Sequence, residues 1–149
     1  MVPQQRLEAF VEAYRLAVQR FFPQLTDNPD YTSIINERQL LRLEGYLADA
    51  RARGALLLPL FDEGQGRRLP QSLVLDVNDD MKLMQDEIFG PLLPVVPYDR
   101  IEDAFAYVNA RPRPLALYYF GYDRREQQRV LHETHSGGVC LNDTLLHVA

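Results

Sequence analysis

The sequence predicts an α/β fold, a three-layer α/β/α arrangement in which helices cover a sheet on both sides. Three features carry that expectation: apolar stripes at helical spacing, short apolar runs bounded by Gly and Pro, and the alternation of the two along the chain. Leu7, Phe10, Val11, Tyr14, Val18, Phe21 and Phe22 recur at three- and four-residue steps, so the opening segment forms a helix buried on one face, and Pro23 ends it. A second stripe through Leu40, Leu43, Tyr46, Leu47 and Ala50 starts behind Asn36, a good N-cap, and stops at Gly54. Residues 55–60 and 72–77 are strands, separated by a Gly- and Arg-rich surface turn at 62–68. Residues 91–98 form a third extended run whose prolines remove ladder donors and place it at a sheet edge or strand end. A helix over 101–111, capped by Asp99, precedes a buried aromatic-rich strand at 115–120. Asp123 opens the next helix, Gly137 and Gly138 close it, and residues 139–142 are the last strand.

Composition sets outer bounds on function. The chain has 149 residues, 46% apolar and 25% charged, which suits one ordinary globular domain with a real core. A net charge of −5 and basic residues dispersed among acids argue against a nucleic-acid surface, because phosphate neutralisation needs clustered Lys and Arg. No apolar run approaches the roughly 20 residues that span a bilayer, and the first residues lack the basic-then-apolar order of a signal peptide. A cytoplasmic protein without membrane contact is expected. Cys140 is the only cysteine, so an internal disulfide and a thiolate metal cluster are both excluded. The apolar end of the sequence, residues 145–149, directly follows a predicted buried strand and reads as a cut inside a larger domain.

Few constellations carry chemistry. Gly64-Gln65-Gly66 lacks the third glycine of a dinucleotide fingerprint and reads as a surface turn. His132-Glu133-Thr134-His135 is one residue short of the helical zinc motif, so no metal site is expected. Cys140 sits between Val139 and Leu141, where a thiol serves as a small hydrophobe rather than a nucleophile, and a self-contained thiol enzyme is set aside. The informative segment is residues 85–91. In an extended chain Glu87 and Phe89 project from one face while Ile88 packs behind. A carboxylate there can accept hydrogen bonds from both hydroxyls of a ribose, and the ring can hold a flat heterocycle. Gly90 would let the backbone approach a ligand, and Pro91 would keep Gly90 extended. The competing reading is a solvated acidic loop with Phe89 in the core.

Residues 85–95, containing Glu87-Ile88-Phe89-Gly90-Pro91, resemble the EIFGP segment of the aldehyde dehydrogenase superfamily. Residues 30–36, 113–118 and 136–143 agree with the same family in order. Together they resemble its class 3 branch, especially the bacterial coniferyl-aldehyde-dehydrogenase-like members, over essentially the whole chain. The resemblance implies that Glu87 binds the nicotinamide-side ribose and that Phe89 contacts the nicotinamide region of NAD or NADP. It implies a partial catalytic domain over residues 1–149, truncated at both ends, lying after the catalytic cysteine and without the cofactor-binding domain. Cys140 then falls at a variable position, Asn142 takes a structural part, and no catalytic residue is present. An isolated chain of this kind should be inactive, while the parent enzyme takes a small-molecule aldehyde, an aromatic one among the candidates. Bared apolar surface and open strand edges should favour a homo-oligomer. A non-catalytic binding or assembly module that kept the fold is the competing class.

Overall fold

The structure, a computed structural model, describes residues 1–145, so most of the apolar end expected to mark a cut, residues 146–149, lies outside the described residues. The chain divides into two compact units, Met1–Pro97 and Tyr98–Ala149. In the first, strand β1 (Val2–Pro3) leads through a short 3-10 turn into helix α1 (Leu7–Phe21). Leu7, Phe10, Val11 and Tyr14 pack on a cluster of Val2, Leu73, Leu75 and Val95, as their spacing predicts. Phe21 departs from that stripe: it is 72% exposed, because the helix ends there and the chain turns away at Phe22. The Phe22 ring instead meets Tyr31 edge-on at 5.2 Å.

Helix α2 (Glu37–Ala52) begins where the Asn36 side chain accepts the Gln39 N–H at 3.0 Å, the expected cap. It buries Leu40, Leu43, Tyr46 and Ala50. Behind it, strand β2 (Leu56–Pro59) runs antiparallel to β3 (Ser72–Leu75), and β3 runs parallel to β4 (Leu92–Pro94), in the order β2-β3-β4. Pro94 ends β4 on the sheet edge, where its missing donor costs nothing. Alternation along β3 sends Val74 into the cluster beneath α2 and Leu73 and Leu75 into the cluster beneath α1. Helices thus cover both faces of this small sheet.

A second 3-10 turn (Lys82–Met84) is tied to α2 by Asp49, whose carboxylate accepts the Lys82 N–H at 2.9 Å and the Arg53 Nε–H at 3.1 Å. The Lys82 amide first, and Arg53 second, hold the Asp49 carboxyl below its ordinary value. A depressed folded pKa means that this contribution is complete above the ordinary Asp value of about 4 and is lost as pH falls through the folded value. The stability advantage of the native chain over Asp49→Asn should therefore shrink on acidification, measured as the difference in denaturant midpoint across pH. A constant difference would show that the charge of Asp49 is not involved.

Strand β5 (Pro97–Tyr98) lies at the boundary of the two units. In the second unit, helix α3 (Ile101–Asn109) buries Ala104 and Phe105. Its start is not capped by Asp99: the carboxylate of Asp103, inside the first turn, reaches back to accept the Arg100 N–H at 3.0 Å. Strand β6 (Ala116–Tyr119), helix α4 (Arg124–Glu133) and strand β7 (Gly138–Leu141) form a β-α-β crossover with parallel strands. Asp123 caps α4 by accepting the Arg125 and Glu126 N–H groups at 2.7 and 3.2 Å. β6 is half-buried rather than buried, since two strands alone leave its faces partly open. Past β7, Asn142 adopts φ 56° and imitates a peptide: its side chain accepts the Gly121 N–H at 2.9 Å and donates to the Gly121 carbonyl at 3.0 Å. No helix among the described residues is long and apolar enough to cross a membrane.

Candidate functional site

The segment 85–91 is not the extended strand expected from its sequence. It is a loop, and Phe89 sits at φ 44° in the left-handed region, which breaks the alternation that would have put Glu87 and Phe89 on one face. Two contacts with α2 bend it. Arg42, on the polar flank of that helix, donates from Nη1 to the Glu87 carbonyl at 3.1 Å and from Nη2 to the Ile88 carbonyl at 2.6 Å. It also donates to Tyr46 Oη at 2.8 Å and to Gln39 Oε1 at 2.6 Å, and the Tyr46 hydroxyl donates to Asp86 Oδ2 at 2.9 Å. Gly90 is the second contact. A Cβ there would lie 2.6 Å from Leu43 Cδ1, so the glycine lets the chain close onto the core rather than onto a ligand. Ile88 packs against the α2 cluster, as anticipated.

The side chains singled out from sequence are left available by this bend. Phe89 is 78% exposed, which removes the core reading for it. Glu87 is exposed and its carboxylate makes no hydrogen bond or ion pair among the described residues. A left-handed aromatic costs roughly 1–2 kcal/mol, a strain that persists only where surrounding contacts impose it and that concentrates at functional sites.

Beside Phe89 opens a cavity of about 370 Å³ lined by residues 30–34 and 89–91 with Phe22 and Gln71. That volume lies within the roughly 300–1,000 Å³ of small-ligand sites. The lining combines the aromatic residues Phe22, Tyr31 and Phe89 with the polar residues Asp30, Thr32 and Ser33, a mixture that suits a polar ring-bearing ligand. Glu87 is not among the lining residues. Burial pushes the Tyr31 phenol up, and its hydroxyl donates to the Leu69 carbonyl at 2.7 Å.

Arg42, Tyr46 and Asp86 escaped the sequence reading. Tyr46 belongs to the apolar stripe of α2, and the available signal was its spacing of four from an arginine, which places both on one helix face. The remaining candidates do not join the site. Cys140 is buried in β7 at 8% exposure. His132 and His135 lie at and beyond the end of α4, and among the described residues no group of three His, Cys, Asp or Glu side chains converges to hold a metal ion.

Comparison with known proteins bears on this geometry. The description "Aldehyde dehydrogenase family" matches residues 1–149. The chain is 75% identical over 149 residues to a Pseudomonas aeruginosa protein named "Probable coniferyl aldehyde dehydrogenase", covering 100% of this chain and 31% of that protein. It superposes on the substrate-bound state of Staphylococcus aureus AldH with a TM-score of 0.85 and 32% identity, over 99% of this chain and 32% of the other. It also matches the NADP-dependent glyceraldehyde-3-phosphate dehydrogenase of Bacillus halodurans complexed with NADP, with a TM-score of 0.83 and 26% identity, over 97% of this chain and 30% of the other. The chain spans about a third of the length of the proteins it matches. With the match running from the first residue to the last, this chain belongs to the aldehyde dehydrogenase family.

Proposed function

We propose that this chain is the part of an NAD- or NADP-dependent aldehyde dehydrogenase catalytic domain that follows the catalytic cysteine, in an enzyme of the class 3 kind that oxidises an aromatic aldehyde such as coniferyl aldehyde to its acid. The observation that carries the reading is the pinned loop that leaves Glu87 and Phe89 exposed, with a cavity of about 370 Å³ beside Phe89. The Glu87 carboxylate accepts hydrogen bonds from the two ribose hydroxyls, and the Phe89 ring borders the nicotinamide. When bound, the nicotinamide nucleotide supplies the hydride acceptor for aldehyde oxidation. Arg42 keeps the loop carbonyls turned inward, so the exposed side of the loop presents side chains rather than competing acceptors. The names of the Pseudomonas relative and the Bacillus structure support the aldehyde and the cofactor class.

The one thiol here is buried in β7, so the nucleophile belongs to other sequence of the same enzyme, and we place the oxyanion donors and the water-activating carboxylate with it. The 149-residue chain alone is therefore inactive. In the second unit Leu115, Phe120 and Tyr122 are 77%, 65% and 90% exposed, and a parallel pair of strands is normally covered on both faces. Further polypeptide, from the same enzyme or from a second subunit of a cytoplasmic homo-oligomer, covers them.

The experiment is turnover by the full gene product. With an aromatic aldehyde and NAD or NADP it should form the acid and reduced cofactor in equal amounts, while the isolated 149-residue chain forms neither. Absence of turnover with every aldehyde and either cofactor would favour a non-catalytic module, and turnover by the isolated chain would overturn the missing-nucleophile reading.

A further inference from the structure

We propose that Arg67 is a positioning residue for the cavity beside Phe89, fixing one segment of its lining as Arg42 fixes another. The inference rests on the reading of that cavity as a nucleotide site. The two segments are held alike. Arg42 binds two consecutive carbonyls, those of Glu87 and Ile88, directly before Phe89. Arg67 binds two consecutive carbonyls, those of Ile34 and Ile35, at the end of the 30–34 segment.

The turn at 62–68, expected to be a plain surface turn, is thereby a clasp on the 24–35 loop. The Ile34 N–H donates to the Arg67 carbonyl at 2.8 Å, while Arg67 Nη1 donates to the Ile34 and Ile35 carbonyls, both at 2.5 Å. Arg68 Nη1 reaches the Leu25 carbonyl at 3.5 Å, and Gln65 exchanges two hydrogen bonds with Asp27 at 3.1 and 3.2 Å. Ile34 itself is buried against the α2 cluster, whereas Ile35 is 79% exposed. Apolar packing therefore anchors only one side of this turn, and the arginine supplies the rest. Thr32 and Ser33, both in the cavity lining, lie two and one residues before that anchor.

The two arginines differ in a way that can be tested. Arg67 uses a single nitrogen for both carbonyls, a task an ammonium with its three donors can perform. Arg42 spreads three nitrogens over four acceptors, which no lysine can match. In the full gene product, Arg67→Met should speed amide exchange at Ile34 about tenfold and raise the KM for the nicotinamide nucleotide about tenfold, with kcat within about twofold. Arg67→Lys should restore both, whereas Arg42→Lys should behave like a deletion. The proposal is overturned if Arg67→Met leaves Ile34 exchange unchanged, or if Arg67→Lys is as defective as Arg67→Met. It is also overturned if exchange quickens with KM unmoved while Glu87→Gln still raises KM. If neither Arg67→Met nor Glu87→Gln moves KM, the nucleotide reading of the cavity fails along with it.

Discussion

Gly90→Ala is expected to destabilise the chain by about 1–3 kcal/mol, the usual penalty for forcing a methyl into a filled core. The added Cβ would lie 2.6 and 2.8 Å from the two terminal carbons of Leu43, distances that real Cβ atoms do not adopt. Leu43 cannot swing aside freely, because it is fully buried among Leu40, Tyr46, Val74 and Met81. Leu43→Ala alone should cost about 2–5 kcal/mol through its cavity. Together the two changes are predicted to be less than additive, since the smaller residue at 43 leaves room for the methyl at 90, and the coupling should fall near 1–3 kcal/mol. Denaturant midpoints of the four proteins in the cycle measure it. Additivity would mean that Gly90 is required by its own backbone conformation and not by contact with α2.

The elements whose residues point one way were legible from sequence. Asn36 and Asp123 are caps with their partners where spacing puts them, and the α2 stripe needs no knowledge of what it packs against. Elements that depend on distant residues were misread. The 85–91 segment has the composition of an extended run, but its path is decided by Arg42 and Leu43, more than 40 residues earlier, and so its bend cannot be inferred locally. The cap of α3 was misplaced because Asp99 and Asp103 are equally good residue types, and only the backbone turn at Arg100 selects between them. β6 was expected to be buried from its aromatic content, yet burial is a property of its neighbours, and beside β7 alone it is half-open.

The same asymmetry shaped the candidate site. Glu87 and Phe89 were identified for their chemistry, which is a property of residue type, and both side chains are exposed. The supporting shell was invisible. Tyr46 counted as apolar and Arg42 as a solvated charge, although together they carry the hydrogen bonds that run from Gln39 through Asp86 to the loop carbonyls. Arg67 was absorbed into a surface turn because nothing nearby in sequence indicates that its target is the carbonyl pair at 34 and 35.

Glu87→Gln should separate function from stability more sharply than any other change in the chain. Its carboxylate supports no contact among the described residues, so the denaturant midpoint should move by no more than about 0.5 kcal/mol. If it accepts two ribose hydroxyls, replacing one charged oxygen by an amide loses about 1.5–3 kcal/mol, and the KM for the nicotinamide nucleotide in the full gene product rises about 10- to 100-fold. Phe89 tests the backbone beneath it. In most settings glycine is less stabilising than alanine by about 0.5–1 kcal/mol, but at φ 44° the order should invert, with Phe89→Gly more stable than Phe89→Ala by about 1 kcal/mol. Both variants should bind the nucleotide more weakly, since both lose the ring. A Phe89→Gly protein that is at once sturdier than Phe89→Ala and poor at holding the cofactor is the signature of strain retained to present an aromatic side chain. The ordinary order of stabilities would show instead that the loop relaxes in solution, and that the grip of Arg42 on the two preceding carbonyls does not enforce the turn.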